Sequence, residues 1–183
     1  MSQNRWVEAI QFEALQAQTA VANTTTETLL ASNLVLPVKY LATTRALRIR
    51  AWGQFSTTAT PTMTFKVHLG SAGTNADGVV CASSAITTAS GAATLIWRLE
   101  VDIAVRAITY GATSANVMGI GELTVTDAAT NTKVGQMVPA SAPAVSGGYN
   151  VEVQQNLGTY LTWSAASASN TLTTHLYTVE SLS

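Results

Sequence analysis

Regular alternation of apolar and polar residues is the feature that most constrains the fold of this chain. In 46–56 (ALRIRAWGQFS), 61–69 (PTMTFKVHL) and 94–108 (TLIWRLEVDIAVRAI), apolar residues hold the odd-numbered positions and mostly polar ones the even-numbered positions. A period of two places successive side chains on opposite faces of a β-strand. The alternation therefore predicts sheets with one face in a core and one face toward water.

Similar segments recur from residue 21 to the end, separated by turns rich in Gly, Asn, Asp and Ser. We expect one all-β domain over 21–183, an antiparallel, jelly-roll-like β-sandwich of about eight to ten strands. A first strand is predicted at 23–32, and Gly53 is expected to mark a bulge. The run 94–108 would span roughly 50 Å as one strand, so a bend or break is expected near its middle.

Residues 1–20 differ from the rest, because they hold helix-forming residues and little Thr. Trp6 and Ile10 lie four positions apart, which fits one face of a short amphipathic helix. An extended arm is the other interpretation. A helix this short is marginal alone in water, so the segment is expected to dock on its own domain or on a neighbouring subunit.

Few residues carry charge: 10% are Asp, Glu, Lys or Arg, against about 25% in a typical soluble domain. The net charge of -1 argues against a nucleic-acid partner and against binding to an anionic membrane. Ala, Thr and Ser number 29, 28 and 15. A weakly charged surface favours self-association, so either hydroxyl groups solvate it or an assembly covers much of it.

Groups that could perform chemistry are sparse. Cys81 is the only cysteine, which excludes an intrachain disulfide and a CxxC metal motif; a buried thiol is expected. His68 and His175 are isolated and are expected to be exposed strand residues rather than metal ligands. Glu100 and Asp102 share one strand face with arginines, which favours a charge ladder over a catalytic acid pair. We therefore expect no enzyme activity, no metal and no cofactor.

Other features of the chain concern location. No apolar run approaches the roughly 18 residues of a membrane helix, so no membrane partner is expected. The first residues show no basic region followed by an apolar one, so no secretion signal is expected. These features predict synthesis in a cytoplasm.

A small basic cluster lies near the first alternating strand, at Arg45, Arg48 and Arg50. It predicts either a strand face paired with acids or a surface for an acidic partner. Trp52 lies on the same face as Arg48 and Arg50, where it can stack on an arginine or act as a contact anchor. Trp97 shares the parity of the apolar residues and is expected in the core.

Two stretches resemble proteins of tailed-phage virions. The segment LLASNLVLPVKYLATTRALRIRAWGQFSTTATPTMTFKVHLG, followed by WRLEVDIAVRAITYG, resembles a loose group of these structural proteins over about residues 29–125. The resemblance implies a jelly-roll β-sandwich, commonly trimeric, displayed on a phage particle. Head decoration or cement proteins, head fibres and tail-associated modules belong to this group, and no active-site residue is carried over.

The first functional hypothesis is a non-enzymatic decoration or cement protein on the outside of a phage head. It would be made in the host cytoplasm, would form a homotrimer and would bind the major capsid protein. The residues expected to contact partners are Arg5, Trp6, Ile10, Phe12, Arg48, Arg50 and Trp52.

The alternative is a tail-fibre or receptor-binding module that recognises host glycans. The segment 138–150 is expected to be a loop, because it holds two prolines and two glycines. Tyr149 within it is the candidate residue for stacking on a sugar. A hydrolase is the third and least favoured class.

Overall fold

The computed structural model describes residues 12–109, 114–126 and 133–182, and every regular element in these ranges is a β-strand. In chain order the strands are β1 Phe12–Ala14, β2 Val21–Ala22, β3 Thr28–Leu29, β4 Leu34–Leu36, β5 Ala46–Ser56, β6 Thr62–Gly70, β7 Gly78–Ala82, β8 Ile86–Thr87, β9 Leu95–Thr109, β10 Ser114–Thr126, β11 Lys133–Val138, β12 Ser146–Asn150, β13 Gln155–Trp163 and β14 Thr171–Ser181. Nine of them have five residues or more, in keeping with the eight to ten predicted.

The strands form two antiparallel sheets that pack face to face. Sheet A has the order β1-β14-β5-β9-β10-β11, with β12 also pairing β10 and β2 also pairing β14. Sheet B has the order β3-β13-β6-β7, with β4 also pairing β13 and β8 also pairing β6. The predicted all-β antiparallel sandwich is confirmed.

The core between the sheets consists of the apolar residues that the alternation selects. β5 spans the predicted 46–56, and its buried positions include Leu47 and Ile49. Trp97 is fully buried as predicted, with its ring 5.2 Å from that of Phe65 in the opposite sheet. Burying large aromatic and aliphatic side chains in this way is the main stabilising contribution to such a fold.

Of the bend or break expected near the middle of 94–108, the break is wrong, because β9 is continuous over 15 residues. It is hydrogen-bonded on both sides, to β5 and to β10, and these neighbours hold it extended. The pairing with β10 shifts at Arg106, where Ala107 faces Asn116 but Val105 faces Val117. This extra residue exchanges the faces that follow, so Ala107 is exposed while the partly buried Ile108 packs against the core.

Gly53 does not itself form the expected bulge. The bulge lies on β14 between Thr174 and Leu176, directly opposite Gly53 and Trp52. A Cβ on Gly53 would collide with the carbonyl oxygen of Thr173 and with the indole nitrogen of Trp97. Gly53 is required because the backbone and the indole ring approach each other closely at this position.

The first segments of the chain are less regular than the sequence predicts. Only Thr28–Leu29 of the predicted strand 23–32 is a strand. Within 12–20, the residues are β1 followed by coil rather than helix, while 1–11 lie outside the described residues. The predicted loop 138–150 ends early, because Ser146–Asn150 pairs with β10.

The described ranges contain no apolar helix of the length that a membrane span requires.

Candidate functional site

The outward side of sheet A carries three rows of side chains that cross neighbouring strands. We call these residues the outer face of sheet A. The rows are Glu180, Arg48, Asp102 and Ile120; Thr178, Arg50, Glu100, Glu122 and Met137; and Leu176, Trp52, Arg98, Thr124 and Gly135. Ile96, which faces Gln54 of β5 next to the third row, belongs to the same face.

Charged residues at the centre of this face form a ladder across β14, β5 and β9. Arg48 donates two hydrogen bonds to Asp102, from Nε at 2.6 Å and from Nη2 at 2.7 Å. This bidentate contact, the strongest geometry for an Arg–carboxylate pair, raises the pKa of Arg48. The side chains remain 28% and 39% exposed, so water still screens the pair.

The other two arginines of the ladder share its remaining acids. Arg50 lies 3.3 Å from Glu180 and 3.5 Å from Glu100, and Arg98 lies 2.5 Å from Glu100. Three arginines therefore meet three carboxylates within one chain. For Arg48 and Arg50 this is the acid-paired strand face that the sequence left as one of two interpretations, and it also confirms the predicted ladder role of Glu100 and Asp102. Arg45, the third residue of the predicted cluster, places its guanidinium 4.9 Å from the centroid of the Tyr40 ring.

Trp52 stacks on an arginine, as predicted. The arginine is Arg98 of the neighbouring strand β9 rather than Arg48 or Arg50 of the same strand. The guanidinium carbon of Arg98 lies 4.7 Å from the ring centroid of Trp52, within the range of a cation–π contact. The indole remains 41% exposed. Ile96, Ile120 and Met137 are also exposed beside the ladder, so large apolar side chains surround a set of internally paired charges.

Two shallow grooves lie at the β10–β11 side of this face, and both include Ile120 and Met137. One has a volume of about 320 Å³ and is walled by residues 138–143. The other, of about 220 Å³, is bordered by Glu122 and by the acids of the ladder. In the described residues, the Glu122 carboxylate accepts a hydrogen bond from the Thr124 hydroxyl and has no cation within ion-pair distance.

Sheet B carries a different set of charges on its outward side. Glu27 contacts Lys66 Nζ through Oε2 at 2.6 Å and His68 Nε2 through Oε1 at 2.5 Å. The other ring nitrogen of His68, Nδ1, donates to the carbonyl oxygen of Asp77 at 2.9 Å. The His68 ring also lies edge-on to Tyr160, with centroids 4.9 Å apart. We call Glu27, Lys66 and His68 the Glu27 cluster.

The prediction that His68 is exposed is wrong, since its side chain is only 3% exposed. β3 lies at the edge of sheet B beside β13, and the side chain of Glu27, which directly precedes β3, reaches the outward side chains of β6. Sequence reasoning did not select Glu27 as a partner. The available signal was one acid in an otherwise uncharged Thr-rich run, NTTTETLL.

Other ionisable groups have structural contacts. Asp77 accepts hydrogen bonds from the backbone N–H groups of Ala72, Gly73 and Thr74, which organises the turn before β7. Cys81 is buried as predicted, and desolvation raises its pKa to about 12, so the thiolate is disfavoured. The described residues contain no group of three or more His, Cys, Asp or Glu side chains able to hold a metal ion.

Tyr149 cannot serve as the predicted sugar-stacking residue. It lies in β12 rather than in a loop, and only 6% of it is exposed. Its ring packs against the backbone of Gly78, where a Cβ would come within 3.0 Å of the ring. The same burial raises the pKa of the phenol. Stacking on a sugar needs an accessible ring face, which Tyr149 lacks.

The predicted N-terminal contact residues are only partly within the described structure. Arg5, Trp6 and Ile10 lie outside the described residues. The backbone of Phe12 begins β1 and pairs with Val179 of β14. Arg48, Arg50 and Trp52 come together on the outer face of sheet A, as their shared parity predicts.

Comparison with known proteins gives one remote similarity. No protein-family model matches the chain, and no curated protein matches it. A solved structure, the CBM2 module of the evolved Dit protein of Lactobacillus casei BL23 phage J-1, aligns with a TM-score of 0.36 and 8% identity. The alignment covers 81% of this chain and 67% of that one. A match at this score and identity does not transfer function from one protein to the other.

Proposed function

We propose that this chain is a non-enzymatic structural protein of a phage virion, and specifically a decoration or cement protein on the outside of the head. The observation that carries the proposal is the outer face of sheet A, where Trp52, Ile96, Ile120 and Met137 are exposed around paired charges. Exposed apolar groups rimmed by polar ones mark surfaces that bind other proteins. The sequence resemblance over 29–125 supports the virion setting.

The paired charges suit a face that must be covered by another protein. An unpaired charge loses its hydration when it is buried at an interface, and that loss is costly. Arg48 and Asp102 already meet each other with bidentate geometry, so covering them leaves each charge with a partner. The exposed Trp52 then supplies the type of residue that dominates interface binding energy.

Symmetric assembly would strengthen such contacts. In a homotrimer, three copies of one face engage a shell of the major capsid protein, and the linked contacts add avidity without new chemistry. The non-enzymatic part of the proposal is supported by the engagement of the ionisable groups described above. His68 and Glu27 bind each other, while Glu100 and Asp102 bind arginines.

The experiment uses shells of the source phage that were assembled without this protein. Co-sedimentation of purified wild-type chain with these shells should show saturable binding. The double variant Trp52→Ala, Ile96→Ser should bind on the order of tenfold more weakly, because two exposed anchors are lost. The matched control is Val153→Ser, which removes another exposed apolar residue, 40% exposed, from the surface outside this face.

Unchanged binding of the double variant would contradict the proposed docking face. Imaging of intact particles that places the protein only on tails would contradict the decoration role. Light scattering on the purified chain tests the trimer separately.

The glycan-binding alternative relied on Tyr149 for contact with a sugar, and Tyr149 is buried. A glycan array probed with the same purified protein checks this class directly. A competable signal on the array, together with no binding to shells, would replace the decoration role by receptor binding.

A further inference from the structure

The acids on the outer face of sheet A differ in whether a cation accompanies them. Three of them, Asp102, Glu100 and Glu180, each lie within ion-pair distance of an arginine of the ladder. The three arginines and three carboxylates of the ladder balance each other in charge. Any excess charge on this face therefore comes from residues outside the ladder.

Two further acids lie on the same face, near opposite ends of its second row. The row continues from Thr178 onto β1, where Glu13 pairs with Thr178. Glu122 stands near the other end, on β10. Both glutamates are exposed, and among the described residues neither has a cation within ion-pair distance. The face thus carries two uncompensated negative charges, one on each side of the balanced ladder.

The carboxylate of Glu122 has a defined position beside a groove. Its Oε1 accepts a hydrogen bond from the Thr124 hydroxyl at 3.1 Å. It also extends over Gly135 of β11, where a Cβ would come within 3.0 Å of Oε1. Ile120 and Met137 line the same groove of about 220 Å³. A partner that fills this groove therefore covers an apolar surface and a carboxylate together.

Covering the two acids has a cost unless the partner supplies positive charge. A carboxylate that is buried at an interface without a cation loses its hydration with nothing to offset the loss. Uncompensated charges also attract oppositely charged partners from a distance and raise the association rate. Both effects favour a partner with basic side chains opposite Glu13 and Glu122.

The sheet order sets the spacing of these basic side chains. β14, β5 and β9 lie between β1 and β10, so four strand spacings separate Glu13 from Glu122, or about 19 Å at roughly 4.8 Å per spacing. Trp52 belongs to β5, between the two acids. The exposed indole therefore contacts the partner between its two basic positions.

We propose that the partner of the outer face of sheet A presents two cationic side chains, Lys or Arg, about 19 Å apart, which pair with Glu13 and Glu122. Between them, an apolar surface of the partner receives Trp52. This inference rests on the docking face proposed above and adds the charge pattern of the surface that binds it. For a head decoration protein, that surface lies on the outside of the major capsid protein.

Co-sedimentation with shells assembled without this protein tests the pattern at two salt concentrations. At about 50 mM NaCl, Glu13→Gln and Glu122→Gln should each bind about threefold more weakly than wild type, and the double variant about tenfold, because each change removes one partly exposed ion pair. At 1 M NaCl, where the screening length is about 3 Å, all three should bind like wild type. The matched control is Glu152→Gln, which removes a 48% exposed carboxylate outside this face and should bind like wild type at both concentrations.

Glu122→Asp separates charge from shape. It keeps the negative charge, so it should retain most of the binding that Glu122→Gln loses. Equal losses in the Asp and Gln variants would attribute the effect to shape and overturn the inference. Urea denaturation should give wild-type midpoints for the acid variants, because both carboxylates are exposed.

The remaining outcomes separate this inference from the proposed function. Binding that is weakened by Trp52→Ala, Ile96→Ser but unchanged in the double acid variant would overturn the charge pattern and leave the docking face in place. Tighter binding of the double acid variant would show an acidic partner surface and would also overturn the charge pattern. No binding of the wild-type chain to shells would overturn the proposed function, and this inference with it.

Discussion

The outward sides of the two sheets differ in how far their charged side chains are exposed to water. Both place charged residues at alternate positions of long strands. On sheet A the side chains of the ladder stay about 27–45% exposed. On sheet B the side chains of Glu27 and Tyr160 pack against His68, so His68 is 3% exposed and Glu27 is 13% exposed, while Lys66 stays 33% exposed. Strand alternation selects which side chains point outward, but contacts from residues distant in sequence decide whether those side chains meet water.

This difference in burial should determine how each network contributes to stability. Exposed ion pairs gain little because water screens them and ordering long side chains costs entropy. A buried charge that loses its partner keeps its desolvation penalty with nothing to offset it. The Glu27 cluster should therefore be costly to disrupt, while the ladder should be tolerant and remain available for contacts with other proteins.

The largest effect is expected for Glu27→Gln, which keeps the shape of the side chain and removes its charge. Lys66 would lose its ion-pair partner and His68 the carboxylate oxygen beside its Nε2, so the free energy of unfolding should fall by about 2–3 kcal/mol, less than for a fully buried pair because Lys66 is 33% exposed. Urea denaturation at neutral pH measures this fall. The matched control is Glu180→Gln in the ladder, for which a fall below about 1 kcal/mol is expected. Similar losses in the two variants would remove the distinction between the faces.

Alkaline pH tests the core separately from either face. Burial raises the pKa of Cys81 to about 12 from its ordinary 9.0 and that of Tyr177 to about 12 from 10.0. The unfolded chain therefore loses these protons at lower pH than the folded chain, and stability falls as pH rises from about 9 toward 12. Between pH 8 and 10.5 the free energy of unfolding should drop by about 2–3 kcal/mol.

Denaturation under reducing conditions at the two pH values measures this drop. Cys81→Ala should show a smaller drop than wild type, because the Cys81 contribution is removed and only the tyrosine contributions remain. An equal drop in both proteins would show that Cys81 is not protected by burial.

The sequence was sufficient for the long strands and insufficient for the short ones. β5, β6 and β9 were predictable because their alternation is local and extends over nine or more residues. β3 has two residues and exists because β13 pairs with it. Such a strand depends on a tertiary neighbour, which no local pattern reveals.

The candidate-site residues also divide into those that a local pattern reveals and those whose surroundings come from distant parts of the chain. Parity placed Arg48, Arg50 and Trp52 together, because all three belong to one strand. The partner Glu180 lies 130 residues away from Arg50, so the sequence could predict an acid-paired face but could not identify this acid. The errors at His68 and Tyr149 share one cause, because in both cases burial is imposed by segments distant in sequence.

High salt should distinguish the two networks further. Asp102→Asn should lower the free energy of unfolding by about 0.5–1 kcal/mol in dilute buffer, since its contact with Arg48 is partly exposed. At 1 M NaCl, where the screening length is about 3 Å, most of this difference should vanish. The loss caused by Glu27→Gln should persist at the same salt concentration. A salt-independent loss for Asp102→Asn would mean that the ladder behaves as a buried network.

A similarly small effect on stability is expected at Trp52, the residue on which the proposed docking face most depends. Trp52→Ala removes the contact with Arg98, worth about 0.5–1 kcal/mol at an exposed site, and little core packing because the indole is 41% exposed. Trp52→Phe keeps an aromatic ring and should lose less. Urea denaturation of both variants gives these values, and co-sedimentation with shells gives their binding. If Trp52 serves to bind the shell, Trp52→Ala should weaken binding to shells more than it lowers the free energy of unfolding. A loss of stability above about 2 kcal/mol in Trp52→Ala would instead make Trp52 a structural residue, and any binding defect would then be a consequence of unfolding.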